Sequence, residues 1–216
     1  TGGDTIYSEG PSRLRVHWLQ TSDGDTWRPV VDQHEVVLEG GVSETDFVFR
    51  DDGSLIAVGR NEAGDEGGFG SRICTASAEA LHAWRCRDDP RKFDSPLLFR
   101  HRDEVYLIGR RTVTASGHYD VSTTGTLAQR RLVNQAENWQ TPKRCALWRV
   151  DPSSLDVAHL LDLPTAGDTC FASVLPLGGR QYLIYDYRSA DSAPDIGWLD
   201  GQTAPTEIYR GTLGLP

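Results

Sequence analysis

Acidic residues and arginines fall at matching places along this chain. Glu44 and Asp46 precede Arg60, Asp94 precedes Arg110 and Arg111, and Asp168 precedes Arg188. Glu44 and Arg60 are 16 positions apart, as are Asp94 and Arg110, while Asp168 and Arg188 are 20 apart. Asn61 and Glu62 follow the first arginine, and Tyr185 and Tyr187 lead into the last. Carboxylates placed in pairs can move protons as general acid and base. Guanidinium groups hold a carboxylate through two parallel hydrogen bonds. A tyrosine beside an acid can serve as a nucleophile. The plain alternative is a structural staple, an acid and an arginine of one unit pairing with each other, which contributes little when exposed. The doubled Arg110-Arg111, the Asn61-Glu62 pair and the Tyr-x-Tyr-Arg run exceed what a staple requires.

These residues belong to a repeat. Phe49-Arg50 to Gly59-Arg60 and Phe99-Arg100 to Gly109-Arg110 share their first two and last two residues at an ungapped offset of 50. Each copy reads as strand, polar turn, strand. A looser third copy runs from Leu175 to Tyr185. Second hairpins lie between the copies, around Ala78-Glu79-Ala80 and around Asp151-Pro152-Ser153-Ser154, and an earlier one lies at Ser22-Asp23-Gly24-Asp25. The unit is therefore four short strands in about 50 residues, the period of a β-propeller blade. The fold predicted is all-β, a propeller of four-stranded antiparallel blades, with one domain over 1–216. Its blade segments fall at about 1–40, 41–90, 91–165 and 166–216, the first opening with a strand at Ile6-Tyr7. About three and a half blades are expected, fewer than the four to eight that usually close a ring. The chain is thus expected to be part of a longer propeller, and its open edges to invite self-association. Almost no helix is expected, and Trp27, Trp84 and Trp148 are expected to pack in or between blades.

In such a blade the start of the first strand and the end of the second share a face. That geometry gathers Glu44, Asp46, Arg60, Asn61, Glu62, Asp94, Arg110, Arg111, Asp168, Tyr187 and Arg188 at one mouth of the axis. Two long loops emerge there as well, the glycine-rich Asn61–Gly70 and the insertion Thr112–Lys143. Long loops on a rigid scaffold commonly carry function. The glycine-rich loop lacks the Gly-Lys-Ser/Thr ending of a phosphate cradle.

Composition narrows the classes. The net charge is −9 and no basic cluster stands out, which argues against nucleic acid. No apolar run approaches a membrane span, and no signal peptide opens the chain. There is no methionine, so the initiating residue is expected upstream of Thr1. The histidines show no ligand spacing, and no metal or cofactor is expected. The four cysteines read first as buried thiols on strands. Their even number, with Cys74 and Cys86 flanking one hairpin, keeps disulfides open.

Thr21-Ser22-Asp23-Gly24-Asp25-Thr26-Trp27 resembles, one residue short, the Asp-box (BNR repeat) hairpin of sialidase-like propellers. Thr75 to Trp84, with Glu79 near the Asp position, resembles a degenerate copy. Glu44 to Glu62 is similar to the second-blade pattern of bacterial exo-sialidase-like proteins, and the sections ending in Arg110 and Arg188 are similar to the blades that follow. The resemblance implies a glycoside hydrolase that retains configuration and acts on a terminal sialic acid, with a tyrosine nucleophile activated by a glutamate. It implies an aspartate as acid/base and three arginines on the sugar carboxylate. Carried onto this chain, Arg60, Arg110 and Arg188 are the arginines, Tyr187 or Tyr185 the nucleophile, and Glu62 or Glu44 its base. The family's Arg-Ile-Pro motif and acid/base loop have no counterpart here, so the catalytic set is expected to be incomplete. The resemblance also implies a carbohydrate partner and an extracellular or periplasmic location. Two alternatives stand beside it. One is a five-bladed glycosidase using the strand-one acids; the other is a non-catalytic glycan-binding propeller.

Overall fold

The computed structural model describes residues 14–189 and 195–216; the expected strand at Ile6-Tyr7 lies outside them. The described chain is built on antiparallel sheets. Strands β1 (Leu14–His17) and β4 (Val36–Gly40) pair, as do the short β2 (Leu19–Gln20) and β3 (Arg28–Pro29). A four-stranded sheet follows in the order β5 (Val42–Phe49), β6 (Leu55–Asn61), β7 (Ser71–Ala76), β8 (Arg85–Asp89). A second has the order β12 (Val157–Asp162), β11 (Lys143–Val150), β10 (Glu104–Thr112), β9 (Asp94–His101). The last sheet has three strands, β13 (Ser173–Gly178), β14 (Gln181–Ser189) and β15 (Thr206–Gly214). Strands therefore pair with their sequence neighbours throughout the three larger sheets, as a meander of short hairpins requires.

The repeated apolar runs are explained by burial on both faces. On β6, Ile56 and Val58 pack with Leu98, Val105, Leu107 and Trp148 of the second sheet. Leu55 and Ala57, on the opposite face, pack with Trp18 and Leu38. On β10 the alternation repeats: Tyr106 and Ile108 pack with Tyr182, Ile184 and Leu213 of the last sheet. Among the described residues, that last sheet buries only this one face. Tyr185 is 40% exposed and Ile208 82% exposed on the other.

Several expectations need correction. The four cysteines are not free thiols: Cys74 bonds Cys86 and Cys145 bonds Cys170. Cys74 and Cys86 sit opposite each other on β7 and β8, so register alone brings them together. The insertion contains a 14-residue helix, α1 (Leu127–Gln140), and a shorter helix, α2 (Trp198–Thr203), follows later. A capping box starts α1, with Thr126 and Gln129 exchanging side-chain and backbone hydrogen bonds. The helix lacks an apolar stripe and buries Arg131, Asn134, Gln135 and Asn138 instead. It docks through polar bonds, such as Arg131 Nε donating to the Ala63 carbonyl at 2.7 Å. Trp27 is 58% exposed rather than packed, whereas Trp148 is buried and Trp84 lies edge-on to Trp18. Asp23 does organise its turn, accepting from the backbone N–H groups of Asp25 and Thr26 at 2.9 and 2.8 Å. Those bonds hold its carboxyl at about 2. Around Glu79 the chain forms a 3-10 helix over Ala78–Ala80 instead.

Candidate functional site

The ends of β6 and β10 and the starts of β5 and β9 carry the site, and irregular pairing aims its side chains. The β5–β6 register shifts between Val42 and Thr45, beside Gly59 and Arg60. The β9–β10 register shifts between Ile108 and Arg110, beside Asp94. Such bulges re-aim side chains and are common next to active sites. Gly59 permits the first of them: a Cβ there would lie 2.6 Å from Val42 Cγ1.

At the centre, Asp94 is 3% exposed. Lys92 Nζ and Arg60 Nη1 lie 3.3 Å from its Oδ1, and Arg110 Nη1 lies 3.6 Å from its Oδ2. Burial alone would raise the Asp94 carboxyl; Lys92, Arg110 and Arg60 outweigh it and hold it at about 2. Arg60 continues the chain of charges toward β5, 2.6 Å from Glu62 and 3.3 Å from Glu44. Lys92 also reaches Glu62 at 3.4 Å and stands over the Tyr119 ring. On the other side Arg110 lies 3.5 Å from Asp168, and its Nη2 is 3.5 Å from the Tyr187 hydroxyl. The Tyr187 hydroxyl donates to Asp168 Oδ1 at 3.2 Å, and Trp198 Nε1 donates to the same oxygen at 3.1 Å. Burial raises the Tyr187 phenol, and the Asp168 charge adds to the rise while Arg110 opposes it. The result is one network across three sheets: Glu44 and Glu62, Arg60, Asp94, Arg110, Asp168, Tyr187.

The network both staples sheets to themselves, Arg60 to Glu44 and Arg110 to Asp94, and joins them, since Arg60 also reaches Asp94 and Arg110 also reaches Asp168. Not every expected residue takes part. Arg111 follows Arg110 on a strand and so faces the opposite way. It forms a fork on Asp162, with both bonds at 2.6 Å. Arg188, next to Tyr187, is likewise on the other face, donating to the Pro164 carbonyl at 2.8 Å and pairing with Glu207. Of the three arginines expected together, Arg60 and Arg110 meet in the network and Arg188 does not. Asn61 is 1% exposed and holds the glycine-rich loop, through bonds of 3.0 Å to Asp65 and to the Gly68 carbonyl. Asp46 accepts the Leu98 N–H at 2.6 Å, and burial raises its carboxyl. Glu62 and Glu44 serve Arg60 and do not touch Tyr187, whose acid is Asp168. Tyr185 faces the exposed side of the last sheet.

Other members were not foreseen. Lys92 precedes Asp94 by two, so strand alternation could have placed both on one face. Lys143 is 1% exposed, lies opposite Thr112 and donates to its Oγ1 at 3.3 Å. Burial lowers the Lys143 amine to about 7; Asp94 pulls it back up, while Lys92 and Arg110 push it down further. Asp186, also buried, accepts the Phe171 and Tyr187 N–H groups at 2.8 Å and so sets the backbone beneath the tyrosine. Trp198 arrives from α2 with no local signal.

The fold has a counterpart among solved structures. The phage phi92 endosialidase superimposes with a TM-score of 0.53 at 15% sequence identity. The match covers 94% of this chain and spans 32% of that protein. No family model and no curated protein matches the sequence. At this identity the likeness speaks for a sialidase-like β-rich fold.

Proposed function

We propose that this chain is a segment of a sialidase-like β-propeller that binds a terminal sialic acid or related acidic sugar. In this reading the successive sheets are blades of one domain, with Asp23 in an Asp-box turn. The observation that carries the proposal is the state of Arg110. Its contacts to Asp94, Asp168 and Tyr187 are 3.5–3.6 Å, longer than a formed charge-assisted hydrogen bond. Its Nε is fixed at 2.8 Å on the Thr169 carbonyl. The guanidinium is thus aimed but not saturated, and an incoming carboxylate can take its terminal N–H groups. Arg111, closed on Asp162, offers nothing comparable. Arg60, paired with Glu62, Glu44 and Asp94, borders the site from the neighbouring sheet.

Hydrolysis would use Tyr187 and Asp168. As the phenol oxygen attacks the anomeric carbon, its proton would pass to Asp168 Oδ1, and the leaving oxygen would take a proton from a further acid. The scheme with strand-one acids as general acid and base fits less well. Asp94, held at about 2 among cations, is a poor proton donor near neutrality. A glycan-binding role without turnover is the second outcome of the same test. The two disulfides favour an extracellular or periplasmic setting. The open apolar face around Ile208 favours association through the last sheet.

The test combines calorimetry with sialic acid and hydrolysis of a fluorogenic sialoside. Wild type should bind the free acid, and Arg110→Ala should weaken binding by about 1.5–3 kcal/mol. Turnover that vanishes in Tyr187→Phe while binding persists makes the chain an enzyme; binding without turnover makes it a lectin-like segment. No binding by wild type, or unchanged affinity in Arg110→Ala, overturns the proposal.

A further inference from the structure

An open cleft of about 390 Å³ lies beside the charge network, between the starts of β5 and β9 and the chain entering β13. That volume falls within the usual range for small-molecule sites. We propose that it is a subsite for a neutral, hydroxyl-bearing sugar ring, the residue joined to the acidic sugar; this placement rests on the acidic-sugar reading above.

Three features point to that chemistry. First, Phe171 lines the cleft with 65% of its surface exposed. An exposed aromatic ring costs hydrophobic free energy unless something covers it. Its base is rigid, because the Phe171 N–H is held by Asp186 and the preceding Cys170 is tied to Cys145. With Pro96 it offers a fixed apolar wall, and the C–H face of a pyranose matches such a wall. Second, the polar lining is made of two carboxylates and two hydroxyls: Glu44, Asp46, Thr45 and Ser95. Glu44 is fixed by the Ser95 N–H at 2.9 Å, and Asp46 by the Leu98 N–H at 2.6 Å. A carboxylate has about four acceptor positions, so both groups keep capacity for ligand hydroxyls. Third, the described lining contains no lysine or arginine. Two carboxylates with no lining cation repel an anionic ring and suit one that donates hydrogen bonds.

The cleft borders the network at Glu44, and the chain that carries Asp168 runs into its opposite wall at Phe171. Glu44 touches Arg60 at 3.3 Å. Phe171 sits three residues beyond Asp168 in the segment held by the Cys145–Cys170 disulfide. A disaccharide unit can therefore place its acidic ring at Arg110 and its neutral ring against Phe171.

The experiment compares three probes on the full chain: free sialic acid, lactose, and a sialyl-lactose trisaccharide. Calorimetry reads affinity, and saturation-transfer NMR reads which ligand protons meet the protein. The trisaccharide is expected to bind about five- to tenfold more tightly than the free acid, a gain of the size expected for one aromatic contact. Phe171→Ala should erase that advantage, and Asp46→Asn should reduce it. If the free acid binds but lactose gives no transfer and the trisaccharide gains nothing, the subsite is overturned and the acidic-sugar reading survives. If lactose binds in a Phe171-dependent way and the free acid does not, the subsite stands and the acidic-sugar reading falls. If no probe binds, both fall.

Discussion

Replacing Asp94 by asparagine keeps its shape and removes the anion on which the network converges. Lys92, Arg60 and Arg110 lie within 3.6 Å of that carboxylate, and Lys143 is buried nearby. Breaking a buried ion pair from one side typically costs about 3–5 kcal/mol, since the partner charge is left uncompensated. Here Glu62 and Asp168 remain to neutralise part of the cluster, which moves the expectation to the low end. The acid–base route leads to a similar size. The Asp94 carboxyl falls from 3.8 to about 2 on folding, worth about 2 kcal/mol. Because the folded value is depressed, this stability is fully present above pH 3.8 and is lost as pH falls through about 2. Asp94→Asn should therefore lose about 2–3 kcal/mol at pH 7, lowering Tm by about 4–12 °C. The deficit should narrow toward pH 2. Urea and thermal unfolding with the disulfides intact measure both. A loss under about 1 kcal/mol at pH 7, the scale of an exposed pair, would show the network to be hydrated. A deficit that does not change with acid would remove Asp94 as its cause.

Other outcomes follow from the same contacts. Lys143, at about 7 when folded against 10.5 for the free amine, binds fewer protons folded than unfolded between those values. Stability should therefore rise from pH 7 toward 10.5, and Lys143→Met should flatten that rise in pH-dependent unfolding. Removing the Cys145–Cys170 disulfide, which links residues 25 apart, by Cys145→Ala with Cys170→Ala should cost about 2–4 kcal/mol. Acidic-sugar binding should weaken as well, because the bond anchors the segment carrying Asp168. Arg111→Ala and Arg188→Ala should leave the affinity for sialic acid within about twofold in calorimetry, in contrast to Arg110→Ala; the reverse order would move the site to the other strand faces.

Much of the architecture was legible from residues 49–60 and 99–110. Strand hairpins are local, and an identical Phe-Arg start and Gly-Arg end at a fixed offset marks the same backbone twice. Apolar runs such as Leu55–Val58 read as strands, and the structure buries them on both faces. The site was legible only in part. Glu44, Glu62, Arg60, Asp94, Arg110, Asp168 and Tyr187 do converge, because repeated units return equivalent strand ends to one place. Arg111 and Arg188 did not follow, since a one-residue step along a strand reverses the side chain, and adjacency in sequence conceals that step. Helix α1 escaped because its docking face is polar, so the periodic apolar signal was absent although Thr126 and Gln129 spelled its cap. Cys74 and Cys86 already flanked one hairpin, but the second cysteine pair was beyond reach for a similar reason. Cys145 and Cys170 meet only once β11 and the chain before β13 are packed. Lys92, Lys143 and Trp198 depend on tertiary approach even more. By itself the sequence determined the strands, their pairing with sequence neighbours and the families of charge at their ends. Which charge meets which was decided by how the sheets stack, because ion pairing depends on distances of a few ångströms between segments about 50 residues apart.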